Sequence, residues 1–333
     1  MTTSSTRAVA AFRLAGTAAF ASLILIAPLV RLPAASQQTS TQRDAFFELL
    51  MVGGAEKGKI YVEIPLKATF FADAKTPQQR RAVWDTFFAR VLRERPDIAR
   101  PGPVGYWGDI AYQNVDWASV ADAVPVRVGD VIRVRTPTAE GSAKVVRYAI
   151  HYNGASNANL LLAVAQPLGG FKVPHTDVLV AAPRLPPCGS ECTARHRSPD
   201  TRTLERIRKV VSLGAKIPAG QRIKEILALE GRFTRPARQY VVYANFGTDS
   251  DTDSIGYWRT VLLDADLSVI VVVGENEYSH IKPRSVGDID GDGLDEVWIG
   301  IYGYEGQHAG LMYWRGEAGG HSFRIIANAY NGA

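Results

Sequence analysis

The sequence lacks the features that would assign it to a common functional class. No G-x-S-x-G nucleophile elbow and no H-E-x-x-H zinc motif is present, and the six histidines are scattered. The net charge is +5, and only +2 remains without the three arginines of residues 1–36; apart from one helix-like stretch from Thr201, the basic residues are dispersed. This charge is too weak to argue for a nucleic-acid partner. No segment after residue 30 is long and apolar enough to span a membrane. The sequence therefore offers no catalytic residue, and we expect no nucleic-acid partner.

The first 36 residues differ from the rest of the chain. They contain three arginines and no acidic residue, and residues 14–30 form an apolar run. A basic start, an apolar stretch and a small-residue exit at Ala34 and Ser36 are typical of a secretory signal peptide. We expect cleavage after Ser36, which exports the rest to the periplasm, the cell surface or the medium with no remaining membrane span. The alternative is an uncleaved anchor, because the apolar run is at the short limit for a span.

Two cysteines, Cys188 and Cys192, lie close together in the segment PPCGSECTAR. An oxidising compartment favours a disulfide between them. The alternatives are a redox pair, which usually has two intervening residues and not three, or half of a metal site. A metal site with the nearby His196 would have only three ligands. We therefore predict a Cys188–Cys192 disulfide.

The pattern of apolar residues predicts a chain that is mainly β with a few helices, of the α+β class. Thr76 and Gln79 form a capping box ahead of apolar residues at helical spacing, which predicts a helix at about 77–94. A short basic amphipathic helix is expected from Thr201, and we interpret its basic face as solvated. Strands are expected at 59–71, 126–135, 143–151, 158–166 and 176–182.

From residue 221 onward the pattern is β throughout. About seven strand-like segments are separated by turn residues, at the spacing expected of a sandwich or of propeller blades. We divide the chain into four parts on this basis. They are a signal peptide at 1–36, a mixed α+β region at 37–185, a loop with a short basic helix at 186–220 and a β-rich domain at 221–333.

An acidic loop, DIDGDGLDE at residues 288–296, lies within the β-rich domain. Asp288, Asp290 and Asp292 occupy alternating positions, so their carboxylates converge if the chain coils around one point. Gly293 permits a sharp turn that directs the Leu294 carbonyl inward, and position 9 of the loop is a glutamate. Because calcium takes six to eight oxygen ligands, the loop predicts a calcium site. The alternative is a turn-rich loop whose aspartates make local hydrogen bonds.

The loop is not an EF-hand, because its twelfth position is Ile299 and its flanks are strand-like. The segment 286–300, VGDIDGDGLDEVWIG, resembles the calcium-binding segment of FG-GAP repeats, which form the blades of integrin α-subunit propellers and occur in bacterial secreted proteins. The resemblance implies a loop between two strands, in a C-terminal antiparallel domain of one or two propeller-like blades. The calcium ligands that it implies are Asp288, Asp290, Asp292, the carbonyl of Leu294, and Glu296.

Only one good copy of this segment is present. Asp249, Asp251 and Asp253 repeat the spacing of the first three acidic positions, but Ser254 and Tyr257 replace the turn glycine and the last ligand. A complete propeller needs several repeats. We therefore expect one or two blade-like units.

Two classes of function remain open. The first is a non-enzymatic binding or surface module that calcium stiffens and that presents loops to a glycan or a protein. The second is an exported hydrolase with its active site in residues 55–185 and the calcium domain as an accessory. The aromatic loop at 101–117 could line a pocket in either class of protein. The simpler interpretation is that Trp107 and Trp117 are core residues.

Overall fold

A computed structural model gives the fold of the chain. The residues described are 46–47, 50–94, 113–115, 118–153, 158–173, 176–186, 194–213, 217, 220–248, 257–276, 279–303, 306–317 and 320–327. The described residues all belong to one compact unit, Ser36–Ala333. Several predictions lie outside the described residues, namely the signal peptide at 1–36, Cys188 and Cys192, Trp107 and Trp117, and the acidic repeat at 249–253.

The N-terminal part is a closed antiparallel barrel of six strands. The strands pair in the order β5-β4-β7-β1-β2-β6, and β6 pairs with β5 to close the ring, while the short β3 adds to β5. Their bounds are β1 Met51–Glu56, β2 Lys59–Glu63, β3 Gln113–Val115, β4 Val131–Arg135, β5 Glu140–Asn153, β6 Ala158–Pro167 and β7 Thr176–Ala182. A 3-10 helix, Ala68–Phe71, and two α-helices, α1 Pro77–Glu94 and α2 Ala118–Ala123, belong to the same part.

Apolar side chains fill the barrel, as expected for a ring of this size. Ile60, Val134 and Leu161 are among the interior residues, and Phe87 of α1 and Val120 of α2 join the same cluster. The two helices therefore pack against the barrel interior. The helix predicted at about 77–94 is confirmed, and its capping box forms: the Gln79 N–H donates to Thr76 Oγ1, and Gln79 Oε1 accepts the Thr76 N–H.

The C-terminal part consists of two four-stranded antiparallel sheets in consecutive strand order. We name them the first meander, β8–β11, and the second meander, β12–β15. Their bounds are β8 Arg222–Gly231, β9 Gln239–Gly247, β10 Tyr257–Leu263, β11 Val269–Asn276, β12 Ser279–Gly287, β13 Glu296–Gly303, β14 Gly306–Glu317 and β15 Gly320–Ala327. A four-stranded meander is the arrangement of a propeller blade. The predicted class, mainly β with a few helices, is confirmed.

These parts stack in layers because strand residues alternate between two faces. In β9, Val242 packs against helix α3, Thr201–Leu213, while Val241 faces the second meander. In β14, Met312 shares a core with the first meander, and Leu311 shares another with the barrel strands β1 and β7. The order of layers is therefore α3, first meander, second meander, barrel wall.

Two predicted strands are shorter in the structure, and the strands β1 and β12 form where none was predicted. The strand predicted at 126–135 begins only at Val131, because a turn at residues 128–129, with Gly129 at a φ of +100°, precedes it. The strand predicted at 59–71 ends at Glu63, because Pro65 has no N–H for the ladder. The strand β12 contains Pro283 and was missed; it is an edge strand with an irregular register at that point. Gly53 continues β1, since a Cβ there would lie 1.8 Å from the Tyr61 carbonyl oxygen of β2.

No helix among the described residues is both long enough and apolar enough to cross a membrane.

Candidate metal centre

The acidic loop connects β12 to β13 within the second meander. Gly287, the last residue of β12, pairs with Glu296, the first residue of β13. The loop therefore joins two neighbouring antiparallel strands. Gly291 and Gly293 have φ angles of +76° and +89°, a backbone conformation that glycine adopts without a steric penalty.

Three carboxylates converge in this loop. Asp288, Asp290 and Glu296 each offer a carboxylate oxygen, and these oxygens all lie within 4.8 Å of one another. We name these residues the carboxylate trio. Their side chains are buried, with 5%, 2% and 0% of the residue exposed, respectively. Three anionic groups at this depth and separation repel one another, and a divalent cation among them would remove that repulsion.

Backbone N–H groups orient the trio. The Gly291 N–H donates to Asp288 Oδ1 at 2.7 Å, and the Gly293 N–H donates to Asp288 Oδ2 at 2.9 Å. The Glu296 carboxylate accepts the Ile289 N–H on Oε2 at 2.6 Å. Such local hydrogen bonds are also predicted by the alternative that the loop is a turn without a metal ion. They also fit a metal site, because each carboxylate oxygen has a second lone pair for a cation.

Asp292 and Leu294 are the predicted ligands outside the trio. Asp292 is half-buried, and its Oδ1 accepts the Leu294 N–H at 2.8 Å. The carboxylate of Asp292 is thus engaged at the turn and does not belong to the group of three. Coordination by Asp292 and by the Leu294 carbonyl stays a prediction.

Burial raises the pKa of Asp288 above its ordinary value. The hydrogen bonds from the N–H groups of Gly293 and Gly291 act in the opposite direction, whereas the negative charges of Asp292 and Asp295 raise the pKa further. Without a cation, the folded loop therefore favours a proton on this carboxyl more than the unfolded chain does. A cation bound to the ionised carboxylate would offset the same cost.

Asp295, the fifth acid of the loop, ties it to the first meander. Its N–H donates to the Arg232 carbonyl at 2.6 Å, and its Oδ2 accepts the Arg232 N–H at 2.8 Å. Arg232 Nε lies 3.7 Å from the same Oδ2. Asp295 therefore fixes the end of the loop to the β8–β9 turn.

Sequence reasoning missed Arg135, the last residue of β4. Arg135 Nη1 donates to the carbonyl of Ile289 in the acidic loop at 2.7 Å. In the strand VIRVR, Arg135 alternates with apolar residues and is indistinguishable by sequence from a solvent-facing charged residue. No sequence feature marks a contact between these positions.

A stacked aromatic cluster joins the two meanders. The His280 ring stacks on Trp258 with centroids 4.7 Å apart and on Tyr302 with centroids 4.8 Å apart. Burial, and then the charge of Lys282, lowers the pKa of His280 to about 4, although Glu225 acts in the opposite direction. His280 is therefore neutral at pH 7.

One open groove lies in the region where the hydrolase alternative places its active site. It has a volume of about 330 Å³ between the 3-10 helix and α1. Its lining is Phe70, Ala82, Val83, Thr86, Phe87 and Arg90. Those lining residues include no carboxylate and no histidine, so they supply no general acid or base.

Comparisons with protein-family models, with curated proteins and with solved structures returned no match to this chain.

Proposed function

We propose that this chain is an exported calcium-binding protein whose acidic loop stabilises an FG-GAP-like C-terminal β-domain. In this proposal it acts as a non-enzymatic binding module for a glycan or a protein outside the cytoplasm. The observation that carries the proposal is the convergence of Asp288, Asp290 and Glu296 within 4.8 Å in a buried turn. The basic, apolar and small-residue pattern of residues 1–36 supports export.

The chemistry of the trio favours calcium over other common metals. All the groups are carboxylates, which are hard oxygen donors, and neither cysteine nor histidine belongs to the group. Magnesium prefers near-ideal octahedral sites at short distances and retains its water. At most 5% of each residue of the trio is exposed, so a cation there would be held mainly by protein oxygens. Calcium tolerates irregular geometry and longer ligand distances, so it suits this loop better.

A calcium titration tests the proposal. Isothermal titration of calcium into the purified chain should show one saturable site, and Asp290→Asn should weaken it strongly. Asp85→Asn on α1 is the matched control, since Asp85 pairs with Arg81 on an exposed helix face far along the chain. Absence of calcium binding to the wild-type chain at millimolar concentration would reject the metal site.

The binding-module role needs a second experiment. The calcium-loaded chain should be retained on an immobilised polysaccharide or protein ligand. After the chain is eluted, the ligand should be chemically intact. A screen of glycans and of extracellular proteins from the same cells provides the ligands. Release of cleaved products during incubation would instead identify a hydrolase.

A further inference from the structure

We infer that the barrel holds the acidic loop in its binding conformation through Arg135, so that cation binding and barrel packing are coupled. Arg135 is only 1% exposed. Beyond its bond to the Ile289 carbonyl, its Nη2 donates to the Pro186 carbonyl at 2.9 Å. A buried guanidinium is tolerated only where its hydrogen bonds are satisfied. The bond to Ile289 joins the end of β4 to the backbone of the acidic loop, and the bond to Pro186 joins it to the segment that follows β7.

Ile289 is the residue through which this contact acts on the trio. It lies between Asp288 and Asp290, and its N–H donates to the carboxylate of Glu296. Its carbonyl accepts from Arg135, and its side chain is fully buried in the core between the barrel and the second meander. The N–H, the carbonyl and the side chain of Ile289 are thus all held in place. A displacement of this residue would move both neighbouring aspartates.

Glu140 holds Arg135 in place, and its second partner, Arg133, provides a matched control. Glu140 Oε2 accepts from Arg135 Nη2 at 3.0 Å, while Oε1 accepts from Arg133 Nη2 at 2.5 Å. The side chain of Arg133 is 45% exposed, and its described contacts are Glu140 and Ser142. Two arginines of one strand therefore share one carboxylate, but only Arg135 contacts the loop among the described contacts.

The inference rests on the proposed function, and within it Arg135 is a positioning residue for the cation site. Residues that orient metal ligands without touching the metal typically change affinity by about 10–100-fold when they are replaced. The coupling is reciprocal by thermodynamic linkage. A cation that favours the ordered loop must also favour the packing of β4 against it.

Isothermal titration of calcium into wild type, Arg135→Met and Arg133→Met tests the positioning role. We expect Arg135→Met to raise Kd by about 10-fold or more, and Arg133→Met to leave Kd unchanged. Wild-type affinity in a folded Arg135→Met variant, with folding checked by circular dichroism, would overturn the inference and leave the proposed function intact. No calcium binding to wild type would overturn both.

Hydrogen exchange on the unaltered chain tests the coupling if Arg135→Met does not fold. Calcium should slow amide exchange in the acidic loop and also in β4 and the 181–185 segment, which lie on the barrel side of the contact. The control region is α3, which packs on the face of the first meander that is turned away from the second meander, and no change is expected there. Protection confined to the second meander would overturn the inference.

Discussion

Replacing Asp290 with asparagine tests whether the acidic loop is a cation site or only a turn. Asparagine has the same shape as aspartate and keeps a side-chain oxygen for the Asp292 N–H, which donates to Asp290 Oδ1 at 3.2 Å. The substitution therefore removes the charge and preserves the local hydrogen bond. We therefore expect the variant to be more stable than wild type in chelator, and to gain less stability from calcium than wild type does.

In chelator, Asp290→Asn should stabilise the fold. The trio oxygens lie within 4.8 Å of one another, so each ionised pair repels by about 3 kcal/mol at an effective dielectric constant of 20. The raised pKa of Asp288 reduces this repulsion, because that carboxyl holds its proton more readily in the folded chain. A net gain of about 1–3 kcal/mol is expected, which corresponds to an increase in Tm of about 2 °C per kcal/mol.

In calcium, the wild-type chain should gain stability that the variant does not. A cation that binds only the folded state contributes RT ln(1 + [L]/Kd), about 2.7 kcal/mol at a hundredfold excess over Kd. If the loss of one carboxylate weakens binding by about 100-fold, the variant gains only about 0.4 kcal/mol at the same calcium concentration. The calcium-induced gain in the free energy of unfolding should therefore be about 2 kcal/mol larger for wild type than for Asp290→Asn.

The assay is thermal melting of both proteins in chelator and in calcium at matched ionic strength. Asp85→Asn should follow wild type in both conditions, because exposed ion pairs contribute less than about 1 kcal/mol. Equal calcium responses in wild type and Asp290→Asn would refute the cation site. A variant that is less stable than wild type in chelator would refute the repulsion on which the estimate rests.

Four further predictions address the rest of the chain. Thr76→Ala should cost about 1 kcal/mol in urea unfolding, because it removes the cap acceptor at the start of α1, whereas Thr76→Ser should be neutral. Wild-type stability should fall as the pH drops from 6.5 towards about 4, since the unfolded chain takes up a proton that folded His280 does not, and His280→Phe should flatten that part of the Tm–pH curve. Mass spectrometry of the non-reduced peptide should show Cys188 bonded to Cys192, and two alkylatable thiols in the exported protein would contradict this. N-terminal sequencing of the exported protein should begin near Gln37, and an intact Met1 in the cytosol would contradict export.

Most of the secondary structure could be predicted because local patterns determine it. The capping box and the apolar spacing located α1 within a residue or two. The errors occurred at residues with two structural uses. Proline usually ends a strand, as Pro65 does, but Pro283 lies within an edge strand, where the missing N–H costs little. Glycine usually marks a turn, but Gly53 lies within β1 because the neighbouring strand approaches closely.

The candidate site could be predicted only as far as the loop itself extends. Alternating acids and a glycine within nine residues specify a coiled turn, and the structure brings Asp288, Asp290 and Glu296 together. The Arg135 contact joins positions 154 residues apart. Such a contact depends on how the barrel packs against the second meander, and neither segment encodes it locally. A single sequence without covarying positions therefore does not identify it.

The packing of the barrel changes how the two candidate functions can be separated. Val180 of the barrel and Trp298 of the second meander share a buried core, and Arg135 bonds the same barrel wall to the acidic loop. Calcium bound at the loop would therefore stabilise the barrel whether the barrel binds a ligand or cleaves one. Dependence of activity on calcium does not distinguish a binding module from a hydrolase in this architecture. The distinguishing measurement is the chemical state of the ligand after release, because only a hydrolase leaves new chain ends on it.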